Sequence, residues 1–131
     1  MPGERILVVD DNPINLKLVR ILLVSEGFDV RAVLDAEEAL TAIPEFDPSL
    51  ILMDIQLPGM DGLELTRRLK ADPSTRDIVI LAVTSYAMKG DRDRALAAGC
   101  DGYVSKPIET ETLPGIVSLH LSHSPRGEAR A

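Results

Sequence analysis

The sequence predicts a doubly wound α/β fold with a five-stranded parallel sheet and five helices. Three observations predict it. Short apolar runs alternate with helical patterns along the whole chain. Most of those runs are apolar at successive positions rather than at every second one, as in strands covered on both faces. Polar groups recur at or just after the carboxyl ends of the runs, where open parallel sheets bind their ligands.

The first run, Arg5–Asp10, holds Ile6-Leu7-Val8-Val9 and closes on Asp10-Asp11. Asn12 suits a helix cap, Pro13 a first helical turn and Gly27 a helix end. Asp29–Val33 reads as the second strand, and Asp35-Ala36-Glu37-Glu38 opens the next helix as a relative of the capping box. The third strand, Leu50–Asp54, is the apolar run Leu50-Ile51-Leu52-Met53 ending on Asp54. Asp61 starts a helix over Gly62–Ala71 that Asp72-Pro73 stops. Ile78–Thr84 is the fourth strand, Ala87–Ala98 a helix ended by Gly99, and Gly102–Ser105 the fifth strand. The last helix runs from about Glu111 to Leu121 with Pro114-Gly115 in its early part. A proline costs little in a first turn but about 3 kcal/mol deeper inside. Ser122–Ala131 has the small, polar character of a disordered tail, which leaves one domain over residues 4–121.

With 131 residues the chain can bury a core without staples, and 45% hydrophobic residues with 3% aromatics make that core aliphatic. A net charge of −7 and a pI near 4.7 argue against nucleic acid and against an anionic membrane as partners. Cys100 stands alone, which excludes an internal disulfide, and no Cys/His cluster offers a zinc site. No apolar run approaches bilayer length and no cationic leader precedes one. The expectation is a cytoplasmic protein that does not insert into a membrane.

Ending two apolar strands on carboxylates costs several kcal/mol unless a cation or hydrogen bonds offset it. Asp10, Asp11, Asp54, Thr84 and Lys106 all fall at strand ends that the fold brings to one edge. Taken singly, each has a plain structural use. Asp10 or Asn12 can shape a loop or cap, Thr84 favours strands, and Lys106-Pro107 is a turn. Tyr86 and Tyr103 suit amphipathic edges, Cys100 a small buried gap, and His120 a helix surface. Together, three carboxylates, a hydroxyl and an ammonium form an oxygen-rich site that suits Mg²⁺, with the backbone carbonyl of Gln56 as a further donor. The cation keeps Asp54 anionic, so that it can act as a nucleophile toward phosphorus. Mg²⁺, the Lys106 ammonium and the Thr84 hydroxyl could then each take one oxygen of the transferring group.

At these residues the chain resembles the receiver domains of bacterial two-component response regulators. The matching pieces are Val9-Asp10-Asp11-Asn12, the stretch Met53-Asp54-Ile55-Gln56-Leu57-Pro58-Gly59-Met60-Asp61-Gly62, then Val83-Thr84-Ser85 and Tyr103-Val104-Ser105-Lys106-Pro107. Thr84 to Asp91 looks most like single-domain cell-division regulators and the receivers of hybrid kinases. The resemblance implies a flavodoxin-like strand order 2-1-3-4-5 and a stand-alone regulator in a phosphorelay rather than an enzyme with outside substrates. It implies that Asp54 is phosphorylated from the phosphohistidine of a sensor kinase or phosphotransfer protein. Asp10, Asp11, Asp54 and the Gln56 carbonyl would bind Mg²⁺, for which Mn²⁺ can substitute. Lys106 would partner the phosphate, and Thr84 and Tyr103 would form the switch that reshapes the face of the fourth helix, fifth strand and fifth helix. Pro114-Gly115 departs from the uninterrupted last helix of that family.

The first helix carries Ile14, Leu16, Leu18, Val19, Ile21, Leu22, Leu23 and Val24, more apolar residues than one inward stripe needs. Either the helix is covered broadly by its neighbours, or Ile14, Leu18 and Ile21 form a patch for a donor's helical bundle or a second copy. Two other function classes compete. A small Mg²⁺-dependent phosphatase or phosphotransferase with an Asp nucleophile needs a second acid–base carboxylate, yet Gln56 stands two residues after Asp54. A flavin carrier needs a Gly/Ser/Thr-rich phosphate loop after the first strand, and the chain has none.

Overall fold

The computed structural model describes residues 4–55, 62–84, 89–105 and 111–122. Strands and helices alternate as β1 (Arg5–Val9), α1 (Pro13–Ser25), β2 (Asp29–Val33), α2 (Ala36–Phe46), β3 (Leu50–Asp54), α3 (Gly62–Ala71), β4 (Val79–Thr84), α4 (Lys89–Ala98), β5 (Gly102–Ser105) and α5 (Leu113–Ser122). All strand pairs are parallel, in the order β2-β1-β3-β4-β5. The expected architecture and strand order are therefore present. Direction switches between β1 and β3, which opens a crevice at their carboxyl ends.

Unbroken apolar strands make sense because both faces of the sheet are covered. Leu7, Val9, Ile51, Met53, Ile80 and Ala82 pack with α2, α3 and α4 on one face. Ile6, Val8, Leu50, Leu52, Val79, Leu81 and Val83 pack with α1 and α5 on the other. Every residue of β3 and β4 is buried. No helix among the described residues is long and apolar enough to cross a membrane.

Helix ends follow the local signals. The Asn12 side chain accepts from the N–H groups of Ile14 and Asn15. At the far end of α1, Gly27 takes a φ of 95°, and the N–H groups of Gly27 and Phe28 donate to Val24 and Leu23. That is a Schellman closure, which needs a residue tolerant of left-handed backbone. Gly99 closes α4 the same way. Asp35 accepts from the Glu38 N–H, while Glu38 reaches back to the N–H of Leu34, one residue before the cap.

Several expectations shift. Asp10 lies just beyond β1 rather than in it, and Ile78 precedes β4. Pro114 does not interrupt α5: the helix starts at Leu113, so Pro114 falls in a first turn whose N–H groups need no helical acceptor. Ser122, expected in the tail, belongs to this helix, and the remainder, 123–131, lies outside the described residues. Pro44, by contrast, sits inside α2, where it removes one helical N–H donor near the end.

Candidate functional site

Asp54 is the last residue of β3 and only 2% exposed. Parallel pairing sets Val9 beside Met53, so the residues that follow, Asp10 and Asp54, emerge as neighbours at the crevice. Asp10 is buried as well, while Asp11 is exposed. One carboxylate oxygen from each of the three lies within 4.8 Å of the others. The chain holds this geometry locally. The Asp10 N–H donates to Val33, and the Asp10 carboxylate accepts from the Asn12 N–H at 2.9 Å. Asn12 in turn caps α1, so strand, turn and helix are joined through two side chains.

Three like charges at such spacing repel by about 3.5 kcal/mol or more per pair at an effective dielectric of 20. A divalent cation reverses that sign. The donors are all hard oxygens, with no nitrogen or sulfur among them, which suits Mg²⁺ or a similar cation better than zinc. Two oxygens on opposite sides of one Mg²⁺ stand about 4.2 Å apart, so the cluster needs little adjustment to share an ion directly or through water.

Thr84 ends β4 at the same edge and is buried. Tyr103 lies on β5 opposite Ala82, half-buried against the core beneath α2, α3 and α4. Gln56 and Lys106 lie outside the described residues, as do Ser85, Tyr86 and Pro107.

On α1 the structure decides between the two arrangements left open. Leu16, Val19 and Leu23 are buried, whereas Ile14, Leu18 and Ile21 are 77%, 46% and 57% exposed. The broadly covered helix is overturned: α1 buries one stripe and presents a second apolar stripe outward, beginning three residues after Asp11. Val24 extends it.

Other residues differ from their sequence reading or were absent from it. His120 is not a simple surface residue: its imidazole packs so closely on Gly102 that a Cβ there would meet Cε1 at 2.9 Å. Cys100 is a buried thiol, as expected, with Sγ 3.8 Å from the Thr66 hydroxyl, and burial pushes its pKa up. Lys70, which sequence reasoning passed over, donates to the carbonyls of Arg76 and Ile78 and to Asp101 at 3.0 Å. Two of its partners are carbonyls beyond the end of α3 and the third, Asp101, is distant in sequence, so no helical pattern announces it. A groove of about 500 Å³ between α2 and α3 lies at the opposite edge of the sheet, lined by Leu40, Pro44, Asp47 and Leu69 among others.

The chain is 47% identical over 118 residues to the polar-differentiation response regulator DivK of Brucella abortus, a match that spans 90% of this chain and 96% of that protein. Its fold superposes on the receiver domain of a signal transduction histidine kinase from Syntrophus aciditrophicus with a TM-score of 0.86 and 31% identity, covering 95% of this chain and 94% of the other. The receiver domain of a sensor histidine kinase from Pseudomonas aeruginosa, solved with a magnesium ion coordinated in its active-site cleft, matches at a TM-score of 0.81 and 36% identity over 89% of this chain and 96% of that one. The response regulator receiver domain family matches residues 6–118, and with the carboxylates, the strand order and these relatives in agreement, this chain belongs to the response regulator receivers of two-component signalling.

Proposed function

We propose that this chain accepts a phosphoryl group on Asp54 from the phosphohistidine of a sensor kinase or histidine phosphotransfer protein, and passes the signal on by changing its protein contacts. The observation that carries this reading is the trio of carboxylates with oxygens within 4.8 Å, of which Asp10 and Asp54 are buried and Asp54 ends a central strand. In the transfer, an Asp54 carboxylate oxygen forms a bond to phosphorus as the nitrogen–phosphorus bond breaks. The electron pair stays on the imidazole nitrogen, which takes up a proton. Asp10 and Asp11, with Asp54 and the Gln56 carbonyl, are the residues that would hold Mg²⁺. When bound, the cation neutralises charge on the carboxylates and on the transferring oxygens. The P. aeruginosa receiver with its coordinated magnesium supports that assignment.

Lys106 is assigned to a phosphate oxygen, and Thr84 with Tyr103 to the switch. Thr84, buried at the same edge, would donate its hydroxyl to the phosphoryl group, leaving room into which Tyr103 turns. That motion would reshape the surface of α4, β5 and α5 for a downstream protein. Ile14, Leu18 and Ile21 would seat the donor's helices beside Asp54. The acidic balance favours protein partners over nucleic acid, and a reduced, buried Cys100 fits the cytoplasm. The chain would catalyse only its own phosphorylation and dephosphorylation.

Incubation with Mg²⁺ and acetyl phosphate tests the core of this reading. Mass spectrometry should find one phosphoryl group at Asp54, lost when Mg²⁺ is chelated. Labelling that persists in Asp54→Asn, or rapid turnover of many phosphoesters per chain, overturns it.

A further inference from the structure

We propose that Gly62 is a positioning residue for Asp54: its missing side chain lets the first turn of α3 rest directly on the peptide that follows the phosphoacceptor and holds that carboxylate in register with Asp10 and Asp11. The inference rests on Asp54 being the phosphoacceptor beside a divalent cation.

A Cβ added at Gly62 would run into the Asp54 carbonyl oxygen, would sit 2.8 Å from the Ile55 Cα, and would touch the Met53 Cγ at 3.0 Å. The first two are backbone atoms and cannot rotate aside. Gly62 does not have a positive φ, unlike Gly27 and Gly99, so the site demands empty space rather than left-handed backbone. Two hydrogen bonds fix the approach. The Gly62 N–H donates to the Ile55 carbonyl at 3.3 Å, and the buried Thr66 hydroxyl donates to the Gly62 carbonyl at 2.7 Å. On its other side the same strand end is tied to β4, where Asp54 pairs with Val83 and the Ile55 N–H donates to the Val83 carbonyl at 3.2 Å. The Asp54 peptide is thus clamped between a neighbouring strand and a helix start. A side chain at position 62 must push either the helix or the strand end by a large part of an ångström. Mg²⁺ bonds of about 2.1 Å with strict octahedral demands leave little room for such a shift. A misplacement of about 1 Å at a reacting group can cost a hundredfold in rate.

The test compares the unsubstituted chain with Gly62→Ala, Thr66→Val, Thr66→Ser and Leu69→Val, the last of which trims the buried far end of α3. Mg²⁺ affinity is measured by calorimetry on the unphosphorylated chain, labelling rate with acetyl phosphate, and folding by circular dichroism. Gly62→Ala is expected to stay folded at low temperature yet bind Mg²⁺ about tenfold more weakly and label tenfold to a hundredfold more slowly. Thr66→Val should weaken Mg²⁺ severalfold, Thr66→Ser should restore it, and Leu69→Val should bind as the unsubstituted chain does. Unchanged Mg²⁺ affinity in folded Gly62→Ala overturns the proposal, and so does an equal loss in Leu69→Val. If Gly62→Ala does not fold, the Thr66 pair decides, and an unchanged affinity in Thr66→Val overturns it. Absence of both Mg²⁺ binding and labelling in the unsubstituted chain overturns the parent reading and this proposal with it.

Discussion

The two edges of the sheet are built on opposite electrostatic plans. At the carboxyl edge, Asp10, Asp11 and Asp54 crowd like charges together. At the amino edge, unlike charges meet: Lys70 binds Asp101, and Arg5 faces Asp47 at 3.8 Å. Asp101 also accepts the Ile80 N–H, which ties the start of β5 to β4. Asp72 accepts from the N–H and hydroxyl of Ser74, which holds its carboxyl below the ordinary range. That contribution to stability is present above the ordinary carboxylate pKa and is lost as pH falls through the lowered value. One edge gathers like charges, and the other pairs unlike ones. Charge crowding and charge pairing are thus separated along the strand axis, some five residues apart, while sharing the same strands.

The sharpest way to break this comparison is at the amino edge. Lys70→Met leaves two carbonyls and Asp101 without their ammonium, and should cost about 2 kcal/mol in chemical unfolding, less than a fully buried pair because Asp101 is partly exposed. Mg²⁺ affinity should not change, and a change beyond twofold shows that the edges are not independent. Asp11→Ala should act in the reverse sense. Mg²⁺ affinity is expected to fall about tenfold, near 1.4 kcal/mol, while unfolding without divalent ions is unchanged or slightly harder as repulsion is relieved. Clear destabilisation of the metal-free chain would show that the carboxyl edge is not under charge strain.

Smaller effects come from α1. Ile14→Glu and Ile21→Glu should leave stability within about 0.5 kcal/mol, because both side chains already face solvent. Labelling by acetyl phosphate should stay the same, whereas transfer from the cognate phosphohistidine donor slows severalfold. Unchanged transfer removes the docking role. The smallest effect is at Cys100. Its folded pKa is raised by burial above the ordinary value of 9.0, so unfolding becomes easier as pH climbs through that value, since only the unfolded thiol ionises there. Comparing unfolding of the native chain and Cys100→Ala from pH 8 to 10 should show a shallower decline in the variant.

Much of the site was legible because its signals are local or recur at strand ends. Val9-Asp10-Asp11-Asn12 holds a strand, two carboxylates and a helix cap in one stretch: the strand forms, Asn12 caps α1, and both carboxylates gather beside Asp54. The α1 stripe was not decidable, because a helix apolar on several sides gives no period from which to pick the inward face. The effect of Pro114 was left open for a related reason: it depends on which residue starts the helix, and end points are the weakest part of any pattern. Gly62 looked like part of a motif, yet its use comes from atoms of β3 that only packing brings against it.

The sequence by itself determined the order of strands and helices, the aliphatic core and the gathering of carboxylates at strand ends. Burial on both faces requires continuous apolar runs, and parallel strands place all their carboxyl ends on one side. Only the tertiary structure decided which face of α1 meets solvent, how Lys70 reaches Asp101, and how closely position 62 meets the end of β3. Those answers depend on distances between segments that only the fold brings together, and a residue's immediate neighbours in sequence carry no record of them.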